Sequence, residues 1–469
     1  MPDNKGYMPA MQHKYFDILN GRTVMIVGFQ RQGQALARWL PTVGARPIVT
    51  DSKTAEQLGI SPADYPNVRF ELGGNPPDLL DGVSMVCVSG GVPLTNPLVV
   101  EAAQRQIPIT NDAQLFVDRC PAPLIGITGS AGKTTTTTLT GQMVKAGGFK
   151  TWVGGNIGSV LLDVLNFVQP NDRVVMELSS FQLEIMHTSP MIAAVLNITP
   201  NHLDRHGTMQ AYIEAKSQIV RHQRLGDVAI LNKDDLGSMV LEGVAGGEVC
   251  WFSQRDLVSD GAFMAGSRLF VTGRSSTTGD PQFVCEVGDI PLRGEHNVSN
   301  VLAACAISGA AGIAPEVMAE TIRKFKGVPH RLETVRVLDG VTWVNDSIAT
   351  APERVAAALK SYSEPLVLLL GGADKKLPWD DLMLMAASKC RHIVAFGRDG
   401  QIPVEALTRL TLRDDLITRV GTLEEAVHEA RKHAQSGDVV LLSPGMTSFD
   451  GYRDFEERGQ HFKTLVNAL

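Results

Sequence analysis

Residues 124–135, Leu-Ile-Gly-Ile-Thr-Gly-Ser-Ala-Gly-Lys-Thr-Thr, leave few folds open to this chain. An apolar run that reads as a buried strand ends in a glycine turn. Lys133, Thr134 and Thr135 follow at what reads as a helix start. Strand, turn and helix in that order build a phosphate-binding loop in an α/β domain. Glycine N–H groups close on phosphate oxygens, and the helix N-terminus adds partial positive charge. A lysine can reach the terminal phosphates, and a threonine hydroxyl can hold Mg²⁺. Gly129, Ser130, Ala131, Gly132, Lys133, Thr134 and Thr135 are therefore the ATP-binding candidates. The general loop has a glycine five residues before Gly132, and Ile127 stands there instead. The compact Thr-Gly-x-x-Gly-Lys-Thr form is a narrower signature. The plainer alternative is a strand-to-helix turn with a surface lysine, and the complete ordered set argues against it.

A chain of 469 residues is long for one core and predicts about two to four domains. Net charge is −7, with acids and bases interspersed and no basic tract, so no nucleic-acid partner is expected. The six cysteines are scattered with no Cys-x-x-Cys, which fits reduced thiols better than a disulfide or zinc framework. Residues 1–21 are polar and predict no signal peptide, and no apolar run is long enough to cross a bilayer. The expectation is a soluble cytoplasmic protein with no membrane partner.

Three segments separate by pattern, all of the α/β class. In the first, strands over 24–28, 47–51 and 85–89 alternate with helical stretches. The second carries the phosphate loop, then strands over 173–177, 193–197 and 228–232. From about 248 to 292 short, glycine-punctuated runs predict a small antiparallel insertion, followed by helices over 299–312 and 315–325. The third holds strands over 341–345, 366–370, 392–396 and 439–443. The expected architecture is a Rossmann-like domain (1–112), a central phosphate-loop ATPase-type domain (113–326) and a C-terminal Rossmann-like domain (327–469).

Further residues sit where such sheets carry ligands. Gly28-Phe-Gln-Arg-Gln-Gly33 after the first strand and Asp51 after the second resemble a dinucleotide fingerprint. Gln30 occupies the middle glycine's place, which keeps a pyrophosphate from approaching as closely. A nucleotide site of another kind is the better reading. Glu177 ends a strand on the ligand edge of the sheet, and a carboxylate there suits Mg²⁺. His202, Asp204 and His206 read either as a metal cluster or as polar loop residues. Lys216, within a predicted helix over 210–221, reads by itself as a solvated surface lysine. In the third segment the loops 345–350, 371–376 and 443–448 each follow a strand and carry hydroxyl or charged groups.

Together the motifs Thr128-Gly-Ser-Ala-Gly-Lys-Thr-Thr135, Gly155-Asn-Ile-Gly158, Glu177-Leu-Ser-Ser180, Asn201-His-Leu-Asp-Arg205, Gly294-Glu-His-Asn-Val-Ser-Asn300, His330-Arg-Leu-Glu333 and Asn345-Asp-Ser347 resemble the Mur ligase family in order and over essentially the whole chain. These are ATP-dependent amide-bond ligases that build the peptide of peptidoglycan. Glu177-Leu-Ser-Ser-Phe-Gln-Leu-Glu184 and Ser448-Phe-Asp-Gly-Tyr-Arg-Asp-Phe-Glu-Glu-Arg-Gly459 are most similar to the glutamate-adding branch. The resemblance implies UDP-N-acetylmuramoyl-L-alanine and glutamate as substrates, ATP with two Mg²⁺ ions, and a monomer. It implies that Arg31, Gln32, Asp51, Ser52 and Lys53 hold uridine. Gly91, Asn156, Ser179, Gln182 and His202 line the diphosphate and muramoyl path, and Asn297 and Asn300 face adenine. Thr134, Glu177, His202 and a carbamylated Lys216 hold the metals. Lys133, Glu177, His202, Lys216 and Asp346 form the catalytic set, with Arg331 and Asp346 closing on ATP. Thr350, Lys375, Ser448 and Phe455 bind the incoming glutamate, and domain closure excludes water from an acyl phosphate.

Three departures from the family pattern stand out: Ala131 for an asparagine, Ile348 for a lysine, and Pro444-Gly-Met-Thr for Pro-Ala-Cys-Ala. D-glutamate is favoured, with L-glutamate the alternative because a related branch adds it. A folylpolyglutamate-type ligase shares the central plan but lacks a uridine-binding segment like 21–111. A nucleotide-binding protein with dead catalysis is opposed by the intact Lys133, Glu177 and Lys216, and a dinucleotide oxidoreductase by Gln30.

Overall fold

Val24, Met25, Ile26 and Val27 are all fully buried, and they alternate between two cores. Val24 and Ile26 face one apolar cluster, Met25 and Val27 another, as the two-residue period of a strand requires. A strand apolar on both sides belongs inside a parallel sheet covered on both faces. The computed structural model, which describes residues 17–156, 158–411 and 414–469, places it there. The readings made for residues 1–16 and for Ile157 of the Gly155–Gly158 motif lie outside the described residues.

The first sheet contains β1 (Thr23–Val27), β2 (Arg46–Asp51), β3 (Arg69–Leu72), β4 (Met85–Val88) and β5 (Ile109–Thr110). Its order is β3-β2-β1-β4-β5, parallel throughout. Gly28 turns the chain out of β1 with φ +90°. A Cβ on Gly33 would lie 2.1 Å from the Gly28 carbonyl oxygen. Both outer glycines of the fingerprint are therefore needed to bring helix Arg31–Trp39 against the sheet.

The second sheet contains β6 (Leu124–Thr128), β7 (Thr151–Gly155), β8 (Arg173–Glu177), β9 (Ile192–Val195), β10 (Val228–Asn232), β11 (Glu248–Ser253), β12 (Gly261–Ala265), β13 (Arg268–Thr272) and β14 (Gln282–Glu286). Its order is β14-β13-β12-β11-β10-β9-β6-β8-β7. β6 lies between β8 and β9, so the chain winds away from it in both directions. The loop after β6 thus sits at the crevice where open α/β sheets bind ligands. The antiparallel portion is β12–β14, and it is not set apart from the domain. It extends the same sheet, because β11 pairs parallel with both β10 and β12. Helix Glu295–Ala310 returns across this edge on a run of small buried residues, Ala303, Ala304, Cys305 and Ala306.

One apolar cluster runs from Trp39, Leu40 and Phe116 beside the first sheet to Leu161, Leu162 and Leu165 beside the second. The two sheets accordingly fall in one compact unit, the chain to Ile290 with Glu295–Arg323. The other unit is Pro291–Gly294 with Lys324–Leu469. It holds β15 (Glu333–Leu338), β16 (Val341–Asn345), β17 (Leu366–Gly371), β18 (Cys390–Phe396), β19 (Ile417–Arg419) and β20 (Val439–Gly445). The order is β15-β16-β20-β17-β18-β19, with an antiparallel hairpin only at β15–β16. Leu366, Leu368 and Leu370 face one core and Val367 and Leu369 the other. Among the described residues no helix is long and apolar enough to cross a membrane.

Candidate functional site

The loop after β6 is pinned by the residues that follow β9. Ala131 N–H donates to Asn197 Oδ1 at 2.8 Å, and Asn197 Nδ2 donates to Ala131 O at 3.2 Å. Ser130 Oγ donates to Thr199 O at 2.9 Å and lies 3.0 Å from the Tyr212 hydroxyl. Gly132 starts helix Lys133–Ala146 at φ +82°, and a Cβ there would lie 2.2 Å from Asn300 Oδ1. Asn300 in turn donates to Asn297 Oδ1 at 3.0 Å, so both asparagines border the loop. Lys133 Nζ lies over the loop and donates to Gly129 O at 2.7 Å. Thr135, two residues into the helix, is buried.

Glu177 ends β8 fully buried. Its Oε2 accepts from Thr134 Oγ1 and its Oε1 from Asn156 Nδ2, each at 2.9 Å. A buried carboxylate beside a threonine hydroxyl is the hard-oxygen donor set that Mg²⁺ takes, so the residues present fit that ion. Lys216 lies on the other side of the loop. Helix Met209–Arg221 turns it inward with Tyr212, Ile219 and Val220, and it is 1% exposed. This corrects its reading as a solvated lysine. Its Nζ donates to Gly129 O at 3.0 Å and Thr128 Oγ1 at 3.2 Å, and sits 4.9 Å from the Tyr212 ring centroid. Burial, reinforced by Lys133 and opposed by Glu177, pushes its ammonium well below the ordinary lysine value.

Of the two readings of His202, Asp204 and His206, the geometry favours polar loop residues over a metal cluster formed by these three alone. His202, in the left-handed region at φ +54°, and His206 both pack on Phe181, with centroids at 5.0 and 5.3 Å. His206 Nε2 is 3.0 Å from Ser180 Oγ. Among the described residues no three His, Cys, Asp or Glu side chains gather to hold a metal. Arg205, which the sequence did not single out, reaches back to the first sheet. It donates to Gly90 O at 2.9 Å and Val92 O at 2.5 Å, and its guanidinium covers the Phe181 ring. The exposed Gly91 lies between those carbonyls.

On the side of the first sheet, Arg31 donates to Asn156 O at 2.8 Å and Gly158 O at 3.0 Å. Gln32 Oε1 accepts from Gly90 N at 2.9 Å. Arg31 therefore meets Asn156, and Gln32 meets the residue before Gly91. Asp51, at the end of β2, accepts from Phe29 N and Lys53 N at 2.8 and 2.9 Å, beside exposed Ser52 and Lys53. Ser179 and Gln182 form a capping box on the short helix after β8.

In the second unit Asp346 follows β16 and is buried. Its Oδ2 accepts from Ser443 Oγ at 2.8 Å and its Oδ1 from Leu332 N at 3.2 Å. Burial pushes this carboxyl up to about 7, against the charges of Arg331 and Arg354. Lys375 donates to Thr350 Oγ1 at 3.0 Å, and desolvation with neighbouring Arg354 lowers its ammonium. Ser448 is buried in the loop after β20, and Phe455 opens helix Phe455–Ala468 against the His330 ring. Fully buried Arg458 was also missed. It donates to Ser347 O at 2.9 Å, Thr447 O at 3.1 Å and Met446 O at 3.2 Å, tying the loops after β16 and β20. Its burial holds the guanidinium down to about 10. A lone arginine in an amphipathic stretch gives no sign that its partners are distant carbonyls.

Three family models match this chain: the Mur ligase MurD-like N-terminal domain over residues 22–111, the Mur ligase middle domain over 127–308, and the Mur ligase glutamate ligase domain over 330–446. The chain is 41% identical over 448 residues to UDP-N-acetylmuramoylalanine–D-glutamate ligase of Symbiobacterium thermophilum, covering 95% of this chain and 97% of that one. It is 37% identical over 466 residues to the protein of the same name in Clostridium acetobutylicum, covering 97% and 99%. Among solved structures, UDP-N-acetylmuramate-alanine ligase of Thermotoga maritima superposes with a TM-score of 0.57 at 18% identity, covering 95% and 99%. At that identity the likeness is one of fold.

Proposed function

This chain belongs to the Mur ligase family, and from that premise we propose that it joins D-glutamate to UDP-N-acetylmuramoyl-L-alanine at the expense of ATP, in peptidoglycan precursor synthesis. The observation that carries this reading is the near full-length identity with relatives named for that reaction. The L-glutamate alternative has no such support.

The division of labour follows residues 1–112 for the UDP substrate, 113–326 for ATP and 327–469 for glutamate. The alanyl carboxylate attacks the γ-phosphorus of ATP, its bond to the bridging oxygen breaks, and ADP leaves. The amine of glutamate then attacks the acyl carbon, loses a proton and expels phosphate. Phosphoryl transfer asks for positioning and charge neutralisation more than covalent help. Loop N–H groups from Gly129 to Thr135 hold phosphate oxygens, and Lys133 swings from Gly129 O to the terminal phosphates. Thr134, Glu177, His202 and Lys216, the last as a carbamate, are the residues that hold Mg²⁺, which adds positive charge beside the phosphates. Asn297 and Asn300 face adenine, and Arg331 and Asp346 also serve ATP. Arg31, Gln32, Asp51, Ser52 and Lys53 take the uridine, and Gly91, Asn156, Ser179 and Gln182 the diphosphate and muramoyl group. Thr350, Lys375, Ser448 and Phe455 receive glutamate, whose two carboxylates need donors and positive charge. Two ions, a monomeric chain and a cytoplasmic location complete the proposal.

Phosphate release from Mg²⁺-ATP that requires both UDP-N-acetylmuramoyl-L-alanine and glutamate supports it. Release that needs neither counts against it.

A further inference from the structure

After β4 the chain reverses in a tight turn, Ser89-Gly90-Gly91-Val92, closed by Val92 N–H on Ser89 O at 2.9 Å. Ser89 Oγ roots the turn on Gly28 O at 2.8 Å, and Gln32 Oε1 accepts from Gly90 N at 2.9 Å. Gly91 is exposed, and a Cβ there would meet nothing within 4 Å. Its N–H has no acceptor among the described residues. Sterically, the peptide between Gly90 and Gly91 is free to turn over. Such a flip carries the second central residue of a turn to positive φ, which glycine adopts freely. Neither glycine has a positive φ, so the peptide stands in one of its two orientations.

Arg205, on the short helix Leu203–His206, holds it there. Its Nη1 donates to Gly90 O at 2.9 Å and its Nη2 to Val92 O at 2.5 Å. The guanidinium carbon lies 4.2 Å from the centroid of the Phe181 ring, which is itself stacked on His206 at 5.3 Å. The ring fixes the plane of the fork, and a planar group with two donors spans two carbonyls as a single ammonium does not. The Gly90 carbonyl and the Gly91 N–H belong to one trans peptide and point in opposite directions. Holding that oxygen on Arg205 therefore aims the Gly91 N–H away from Arg205.

Resting on the assignment of Gly91 to the diphosphate and muramoyl path, we infer that Arg205 is a positioning residue for the UDP substrate. It locks the Gly90–Gly91 peptide so that the Gly91 N–H is presented as a donor to an oxygen of that substrate. A residue that follows β9 of the second sheet thereby sets the donor geometry of a turn on the first.

Two substitutions separate the fork from its charge. Arg205→Lys keeps the charge and loses the fork, whereas Arg205→Ala loses both and leaves room for a free guanidinium ion. Calorimetric binding of UDP-N-acetylmuramoyl-L-alanine to the full chain, with KM for each substrate, reads the effect. Arg205→Lys should weaken that binding about tenfold and raise the KM of the UDP substrate to match, with the KM for ATP and for glutamate little moved. Arg205→Ala should lose at least as much and recover part of it in millimolar guanidinium, but not in ammonium. An Arg205→Lys variant that binds like the unmodified protein, an equal rise in every KM, or recovery in ammonium as large as in guanidinium overturns the inference alone. No binding by the unmodified protein overturns the functional reading and the inference with it.

Discussion

Lys216 combines two properties seldom found together in a lysine, full burial and a second ammonium, Lys133, acting on it. Both disfavour charge, and an uncharged amine is the form that adds to CO₂ with loss of a proton. The carbamate would bring negative charge to a loop that gathers phosphates and Mg²⁺. Lys216→Ala should therefore lose most ligase activity, and short carboxylic acids should restore part of it. Full activity in the alanine variant would remove the carbamate from the account. Asp346 gives a second test at this scale. Its carboxyl titrates near 7 in the folded chain against an ordinary value of 3.8, so the folded state holds the proton more tightly than the unfolded one. Its contribution to stability is complete below about pH 4 and is lost as the pH rises through about 7. Asp346→Asn should thus stabilise the folded state less at pH 5 than above pH 7, where the gain is about a few kcal/mol and is read as a higher melting temperature. A gap that shrinks with rising pH would contradict the burial argument. Lys216 was hidden from the sequence because its helix reads as amphipathic with any lysine on the wet face. Only the loop packed over it reveals otherwise.

At the scale of elements, the strands that carry ligand loops were legible because their apolar runs are continuous. β6, β8, β17 and β20 are covered on both faces, and each ends in glycine, hydroxyl or charged residues. β3, β15 and β19 were not, since they lie at sheet edges and are half-exposed. The segment 248–292 reads as antiparallel from its glycine turns, but turns do not say that β11 pairs parallel with β10. The candidate site was legible where motif and strand end coincide, as at Lys133 and Glu177. It was illegible where a side chain crosses between sheets, as Arg205 and Asn111 do. The Gly28–Gly33 turn makes an element-scale prediction. The Cβ in Gly33→Ala would meet a backbone oxygen at 2.1 Å, so helix Arg31–Trp39 must move. The urea midpoint should fall by the equivalent of about 1–3 kcal/mol, and UDP binding should weaken with it. An unchanged midpoint would show that the close approach is not required.

For the whole molecule, the apolar cluster shared by the first two sheets means that the proposed uridine side and the phosphate loop are built as one body. Binding of uridine nucleotides is accordingly to be sought in the full chain and not in an excised first domain. The second unit carries its own cores and its own donors, Lys375 and Thr350 among them. In the proposed glutamate site Ile348 stands where the family pattern has a lysine, which leaves Lys375 to supply more of the charge that a dicarboxylic amino acid requires. The central claim is that these parts form one amide bond to D-glutamate. It is tested most directly by supplying the purified full chain with UDP-N-acetylmuramoyl-L-alanine, Mg²⁺-ATP and one amino acid at a time, and identifying the product by mass and by its stereochemistry. The account predicts an amide between the alanyl carboxyl and the D-glutamate nitrogen, with one ATP consumed for each bond. Product with L-glutamate alone would contradict the stereochemical assignment, and product with alanine or a diamino acid but neither glutamate would contradict the claim itself.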